Sequence, residues 1–252
     1  MIILLYDHTW PGMLSAIFEA FDRKLTNCMI RRARAHMPSA FDQDIEVTTN
    51  TMKAARVITG LKKKLSADGF HQFYACFLSE LHGIEDTLFA YTRLIFSSKD
   101  RVEQAFANAA VLRVSQVAKS VHREKHRMEA FVRFRLASDS LFFAEVEPDF
   151  NVLPLILNHF EKRYADQRWL IYDMKRNYGI YYDLEKVTEV TLQRTVGVKE
   201  TAGIFHEEEP LYESLWNDYF KHVNIRERKN TKLHLQHVPR RYWKHLTEKN
   251  KL

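Results

Sequence analysis

His122, His126 and Glu129 recur at i, i+4 and i+7 within a basic stretch of the chain. On a helix that spacing brings all three toward one face, where two imidazoles and a carboxylate could ligate a metal or move a proton. The metal reading is disfavoured, because residue 123 is arginine where a zinc-protease motif needs glutamate, and Arg123, Lys125 and Arg127 oppose a cation. The same arginines suit phosphate through bidentate guanidinium contacts, with His126 as a switchable donor. Asp149 and Asp173 flank strand-like runs, as does Asp183, and carboxylates there could serve acid–base chemistry or cap turns. The catalytic candidates are therefore His122, His126, Glu129, Asp149 and Asp173, and their spacing assigns no reaction to any of them.

A second constellation closes the chain. From Phe220 to Leu252 ten Arg or Lys face only Glu227 and Glu248, an excess of eight positive charges where the whole chain carries +6. Arg226, Arg228, Arg240 and Arg241 offer phosphate contacts, and Tyr242 or Trp243 could stack a base. With Arg123 and Arg127 these residues form the expected nucleic-acid-binding set. It works as one surface only if two basic stretches, far apart in sequence, fold onto a common groove.

The elements that must position these residues can be read from periodicity. A basic helix over 111–130 keeps Val111, Val114, Val117, Ala118, Val121 and Met128 on one stripe, with Arg113, Lys119, Arg123, Lys125 and Arg127 on the rest. Between 113 and 135 seven Arg or Lys oppose Glu124 and Glu129, an excess of five. The run VRFRLAS, SLFFAEVE, PDFNVLPLILNHFEKRYADQ, RWLIYDM and YGIYYDL then reads β-β-α-β-β, with Asn177–Gly179 as the hairpin turn. Upstream, residues 2–6 form an N-terminal strand, and a helix begins near Pro11 behind a cap from Asp7 or Thr9. IEVTT at 45–49 is a candidate second strand, and 51–130 is a largely helical layer in which Gly83 interrupts or bends the chain. The expected class is α+β: a mainly helical layer packed with a small β-β-α-β-β sheet unit and an N-terminal strand. One compact unit over 1–252 is expected, divisible into 1–110, 111–198 and a basic helical segment over 199–252.

Composition sets the outer limits. With 252 residues, 46% hydrophobic and 13% aromatic, the chain can bury a substantial core. Cys28 and Cys76 alone supply neither a disulfide framework nor a cluster site, and seven glycines with no Walker A, G-x-G-x-x-G or G-x-S-x-G motif argue against the common nucleotide and hydrolase loops. No metal or cofactor is expected. MIILLYD is too short for a signal peptide or membrane span, so a soluble cytoplasmic protein is expected.

At VHREKHRMEAFVRF, at PDFNVLPLILNHFEKRYADQRWLIYDMKRNYGIYYD and at FKHVNIRERKNTKLHLQHVPRRYWKHL, the chain resembles a bacterial family of DNA-metabolism and DNA-repair proteins. Members of that family are associated with a radical-SAM partner protein, and related domains are fused to uracil-DNA glycosylase domains. The opening YDHTWPGMLSAIFEAF is similar to the family's start, although His8 replaces a usual small residue. The resemblance implies DNA metabolism and a radical-SAM-like partner without naming catalytic residues. The reading it favours is a DNA-binding accessory factor in repair or modification. Two alternatives stand beside it: a nucleic-acid enzyme acting on a damaged or modified base, and an interaction scaffold that makes no DNA contact.

Overall fold

A computed structural model describes residues 1–137, 140–191 and 238–246. The chain divides into two compact units, Met1–His122 and Arg123–Leu252, and the division falls within one long helix.

The first unit opens with β1 (Ile2–Tyr6), which leads through Asp7–Thr9 into α1 (Trp10–Asp22). Thr9 is the N-cap, and its hydroxyl accepts from the Gly12 amide at 3.0 Å. Asp7 steadies that cap by accepting from the Thr9 amide (3.0 Å), the Thr9 hydroxyl (2.7 Å) and the Thr49 hydroxyl (2.7 Å). Met13, Leu14 and Ile17 of α1 are fully buried together with Leu4 of β1. Burying each such side chain is worth roughly 1.5–3 kcal/mol as an upper estimate.

Gly12 is where this corner is tightest, since a Cβ there would stand 2.0 Å from Asp7 Oδ1. Gly12→Ala is therefore expected to expel the Asp7 carboxylate and lower stability by about 1 kcal/mol, even though alanine is the better helix former. In a denaturation series the Asp7→Ala/Gly12→Ala double variant should be no less stable than Asp7→Ala alone. Additive destabilisation would show that the two residues act separately.

The N-terminal strand is not alone, as β2 (Cys28–Arg32) and β3 (Gln43–Glu46) flank β1 in a parallel sheet of order β2-β1-β3. β2 was not expected from the sequence because Arg31 and Arg32 give CMIRR the look of surface. In the fold their charges are met by Asp86 and Glu85, at 2.7 and 2.6 Å, while Ile30 packs in the core. The helical layer follows as α2 (Thr51–Lys64), α3 (Ala67–Leu78) and α4 (Ile84–Ser97). Gly83, with φ +73°, ends the continuity between α3 and α4, so the long apolar run is two helices. Cys76 is buried against the Val114 carbonyl, and burial pushes its thiol up to about 12, far from a reactive thiolate.

α5 (Ala109–Phe131) carries the chain into the second unit. There β4 (Arg135–Leu136), β5 (Phe142–Val146), β6 (Trp169–Asp173), β7 (Tyr178–Tyr182) and β8 (Val187–Val190) pair in sequence order. β5 and β6 are parallel, joined through α6 (Leu153–Arg163), and the remaining pairs are antiparallel. The expected β-β-α-β-β unit is present, extended by β8. Its hairpin turn lies earlier than Asn177–Gly179: Tyr178 and Gly179 already pair in β7, and Asn177 takes the left-handed position with φ +57°. Every residue of β6 is buried, and Trp169, Ile156 and Phe160 form the centre of the core. Among the described residues the architecture is thus mixed α+β, with a helical layer and two small sheets. Among the described residues no helix is long and apolar enough to cross a membrane. Of the segment 199–252 only 238–246 is described, and it holds a 3-10 helix, Arg240–His245.

Candidate functional site

In the second unit the chemistry gathers on Glu124. This residue lies three positions after Val121 and four before Met128, so helical geometry puts it on the apolar stripe of α5, and it is only 2% exposed. A carboxylate buried there needs partners. Its Oε1 accepts from the Asp149 amide at 2.9 Å, and its Oε2 accepts from Arg241 Nη2 at 2.7 Å and from the Tyr242 hydroxyl. Arg241 reaches on through Nη1 to Asp149 Oδ2 at 2.8 Å. Tyr242 packs its ring against Phe131 at 5.4 Å between centroids and is itself 2% exposed. Burial, followed by the Glu124 carboxylate, pushes the Tyr242 phenol well above its ordinary range, so it remains a donor.

Asp149 and Asp173 approach the same arginine. Asp173, fully buried at the end of β6, accepts from the amides of Lys175 and Arg176 at 2.9 and 3.1 Å and from Arg176 Nη1 at 2.8 Å. Arg176 Nη2 in turn donates to the Asp149 carbonyl at 3.1 Å. Tyr242 and Arg241 both meet Glu124, Arg241 continues to the Asp149 carboxylate, and Arg176 links the Asp149 carbonyl to Asp173, so one hydrogen-bonded network runs from Tyr242 to Asp173. Within it Asp173 closes the β6–β7 turn with both oxygens engaged, and Asp149 keeps about half its carboxylate exposed. Glu129 stands outside the network, paired with Lys125 at 2.7 Å and facing His159 Nδ1 at 3.9 Å. His126 projects outward from α5 with its side chain 86% exposed, and His122 is half-buried at the end of the first unit. Among the described residues no three His, Cys, Asp or Glu side chains gather as metal ligands.

The residues expected to contact nucleic acid divide in two. Arg241 and Tyr242, read from sequence as a phosphate contact and a stacking ring, are engaged by Glu124. Tyr242 lies in the core, where no base can stack on it, because its ring completes the apolar contact with Phe131. Arg123 and Arg240 are exposed, and Arg127 is partly so, with one nitrogen 3.8 Å from Glu124. The Arg240 guanidinium lies 5.9 Å from the ring centre of Trp243, whose indole N–H donates to the Val238 carbonyl at 3.1 Å. Arg226 and Arg228 lie outside the described residues. The basic turn of α5 and the C-terminal basic segment do meet. Their junction is Glu124, whose place on an apolar stripe was the sequence signal for it.

Lys244 pairs with Glu147, and the bond helps hold the carboxyl group of Glu147 below its usual range. Beside them His245 is half-buried, and burial together with the Lys244 charge holds its imidazole below the usual value. The 3-10 helix is thus fastened along its length by alternating core and surface contacts.

None of the curated proteins matches the chain. A family model described as a domain of unknown function, DUF4130, matches residues 82–248, which take in α4, α5, the five-stranded sheet and the C-terminal 3-10 helix. With more than half of its length inside that match, including every residue of the Glu124 network, the chain belongs to the DUF4130 family.

Proposed function

We propose that this chain is a cytoplasmic DNA-binding accessory factor in DNA repair or modification, acting with a separate radical-SAM-like catalytic partner. The observation that carries the DNA-binding part is the junction at Glu124. It joins the basic end of α5 to the C-terminal basic segment, which lies more than a hundred residues away in sequence. In this reading Arg123 and Arg240 meet phosphates, and Trp243 contributes an aromatic surface beside Arg240. Glu124, Arg241 and Tyr242 are positioning residues that hold the 3-10 helix against α5. The DNA-repair setting and the catalytic partner rest on the sequence resemblance.

Removing one phosphate-binding cation should flatten the dependence of log affinity on log salt by about 0.9 on duplex DNA. The Arg123→Glu/Arg240→Glu variant is therefore expected to lower the slope by about 2 and weaken binding at least tenfold, measured by fluorescence anisotropy across a salt series. Lys62→Glu/Lys63→Glu, at the end of α2, should leave the slope unchanged. Binding that is absent, or equally salt-dependent in both variants, would end this reading.

A further inference from the structure

The first unit carries a second cluster, at the carboxyl end of its parallel sheet. β2 and β3 flank β1, and the cluster gathers on the β2 side, where two neighbouring parallel strands end together. Tyr6 ends β1, Arg32 ends β2 beside it in register, and His8 follows Tyr6. The connection from α3 to α4 brings Glu80 to the same corner, and the first turn of α4 brings Glu85.

The hydrogen bonds leave one group unanswered. Glu85, 4% exposed, accepts from the Tyr6 hydroxyl at 3.0 Å and from Arg32 Nε at 2.6 Å. Arg32 Nη1 donates to the Glu80 carbonyl at 3.2 Å, which leaves Nη2 buried with no hydrogen-bond partner among the described residues. A buried donor left open is costly, and here the guanidinium is held on its other sides, so the open nitrogen has a set direction.

Two backbone observations mark the same corner. His8 and Glu80 both take left-handed conformations, φ +69° and +53°, which side-chain-bearing residues rarely adopt. Their side chains face each other, with His8 Nε2 4.0 Å from Glu80 Oε1. Strain of this kind concentrates where a site must hold a side chain in place. Burial, and then the charge of Arg32, keeps the His8 imidazole below its usual range, and Arg34 adds to that effect. The first turn of α1 is not the ligand group, for Thr9 and Asp7 already occupy its cap.

We propose that this corner binds a small oxyanion, a phosphate or carboxylate group, received by Arg32 Nη2, with His8 as the gate. In this proposal the His8 side chain, 39% exposed, turns outward to admit the anion to the guanidinium. Glu85 and Tyr6 act as positioning residues that aim Arg32. This site is independent of the DNA surface of the second unit.

The test is a calorimetric titration of the full chain with inorganic phosphate, and separately with acetate, to distinguish the two oxyanions. Saturable binding of at least one probe is expected. Arg32→Lys keeps the charge and removes the fork, and should weaken binding at least tenfold. Arg56→Lys, at an exposed position of α2, and the Arg123→Glu/Arg240→Glu variant should match the unaltered chain. His8→Gly leaves Arg32 intact, relieves the left-handed strain and removes the gate, so it should tighten binding several-fold and serves if Arg32→Lys does not fold. Failure of both probes to bind, equal affinity in Arg32→Lys, or unchanged affinity in His8→Gly overturns the proposal.

Discussion

Replacing Glu124 with alanine should lower the unfolding free energy by about 3–5 kcal/mol, the range for removing one partner of a buried charge network. The cost has several parts. The Asp149 amide and the Tyr242 hydroxyl lose their acceptor, and Arg241 keeps its pairing with Asp149 and its contact with Tyr242. Tyr242 and Leu246, each 2% exposed, then lose the bonds that hold their helix in place. Arg241 is 41% exposed on its side chain, so water replaces part of what it loses, and most of the cost falls on the buried groups. Tyr242→Phe should cost about 1.5–3 kcal/mol, since it removes a hydrogen bond to a charged acceptor while keeping the ring. In a double-mutant cycle Glu124 and Tyr242 should couple by at least about 1 kcal/mol. Glu129→Ala breaks a pair within one helix and should cost less than about 1 kcal/mol. Urea denaturation followed by tyrosine and tryptophan fluorescence reads all of these differences. A Glu124→Ala destabilisation below that of Glu129→Ala would mean that the network does not hold the C-terminal segment.

Trp169→Ala should be comparably damaging, at about 3–5 kcal/mol, for a different reason. The side chain is fully buried and meets Phe134, Phe160 and Tyr182, with ring centres 6.4, 6.1 and 5.5 Å away. Alanine leaves a cavity between α6 and the sheet that rigid strands cannot close. Trp169→Phe should recover more than half of the stability. The indole N–H is buried with no hydrogen-bond partner among the described residues, so its removal offsets part of the missing volume. The same denaturation series decides the matter. If Trp169→Phe is as damaging as Trp169→Ala, the indole nitrogen has a partner that matters.

The clearest gap between sequence and fold concerns charged residues in buried places. Arginine at 31 and 32 hid a strand, because a run of side chains shows charge without showing the acid that will face it from another helix. In the sequence Glu124 is only a minority negative charge on a basic helix, and in the fold it is the acceptor on which the C-terminal 3-10 helix docks. Tyr242 and Trp243 are adjacent and chemically alike, yet a 3-10 helix turns one inward and leaves the other half-exposed. No local pattern distinguishes them.

What the sequence settled by itself was the set of elements with strong local signals. The N-terminal strand, the helix that begins near Pro11 and the β-β-α-β-β order follow from periodicity and backbone limits acting over a few residues, whereas Gly83 left a break and a bend equally open. The hydrogen-bonded network from Tyr242 to Asp173, and the corner where Arg32 meets Glu85, were decided only in three dimensions. Their members come from separate elements, and a charge is buried only when a distant partner arrives to meet it.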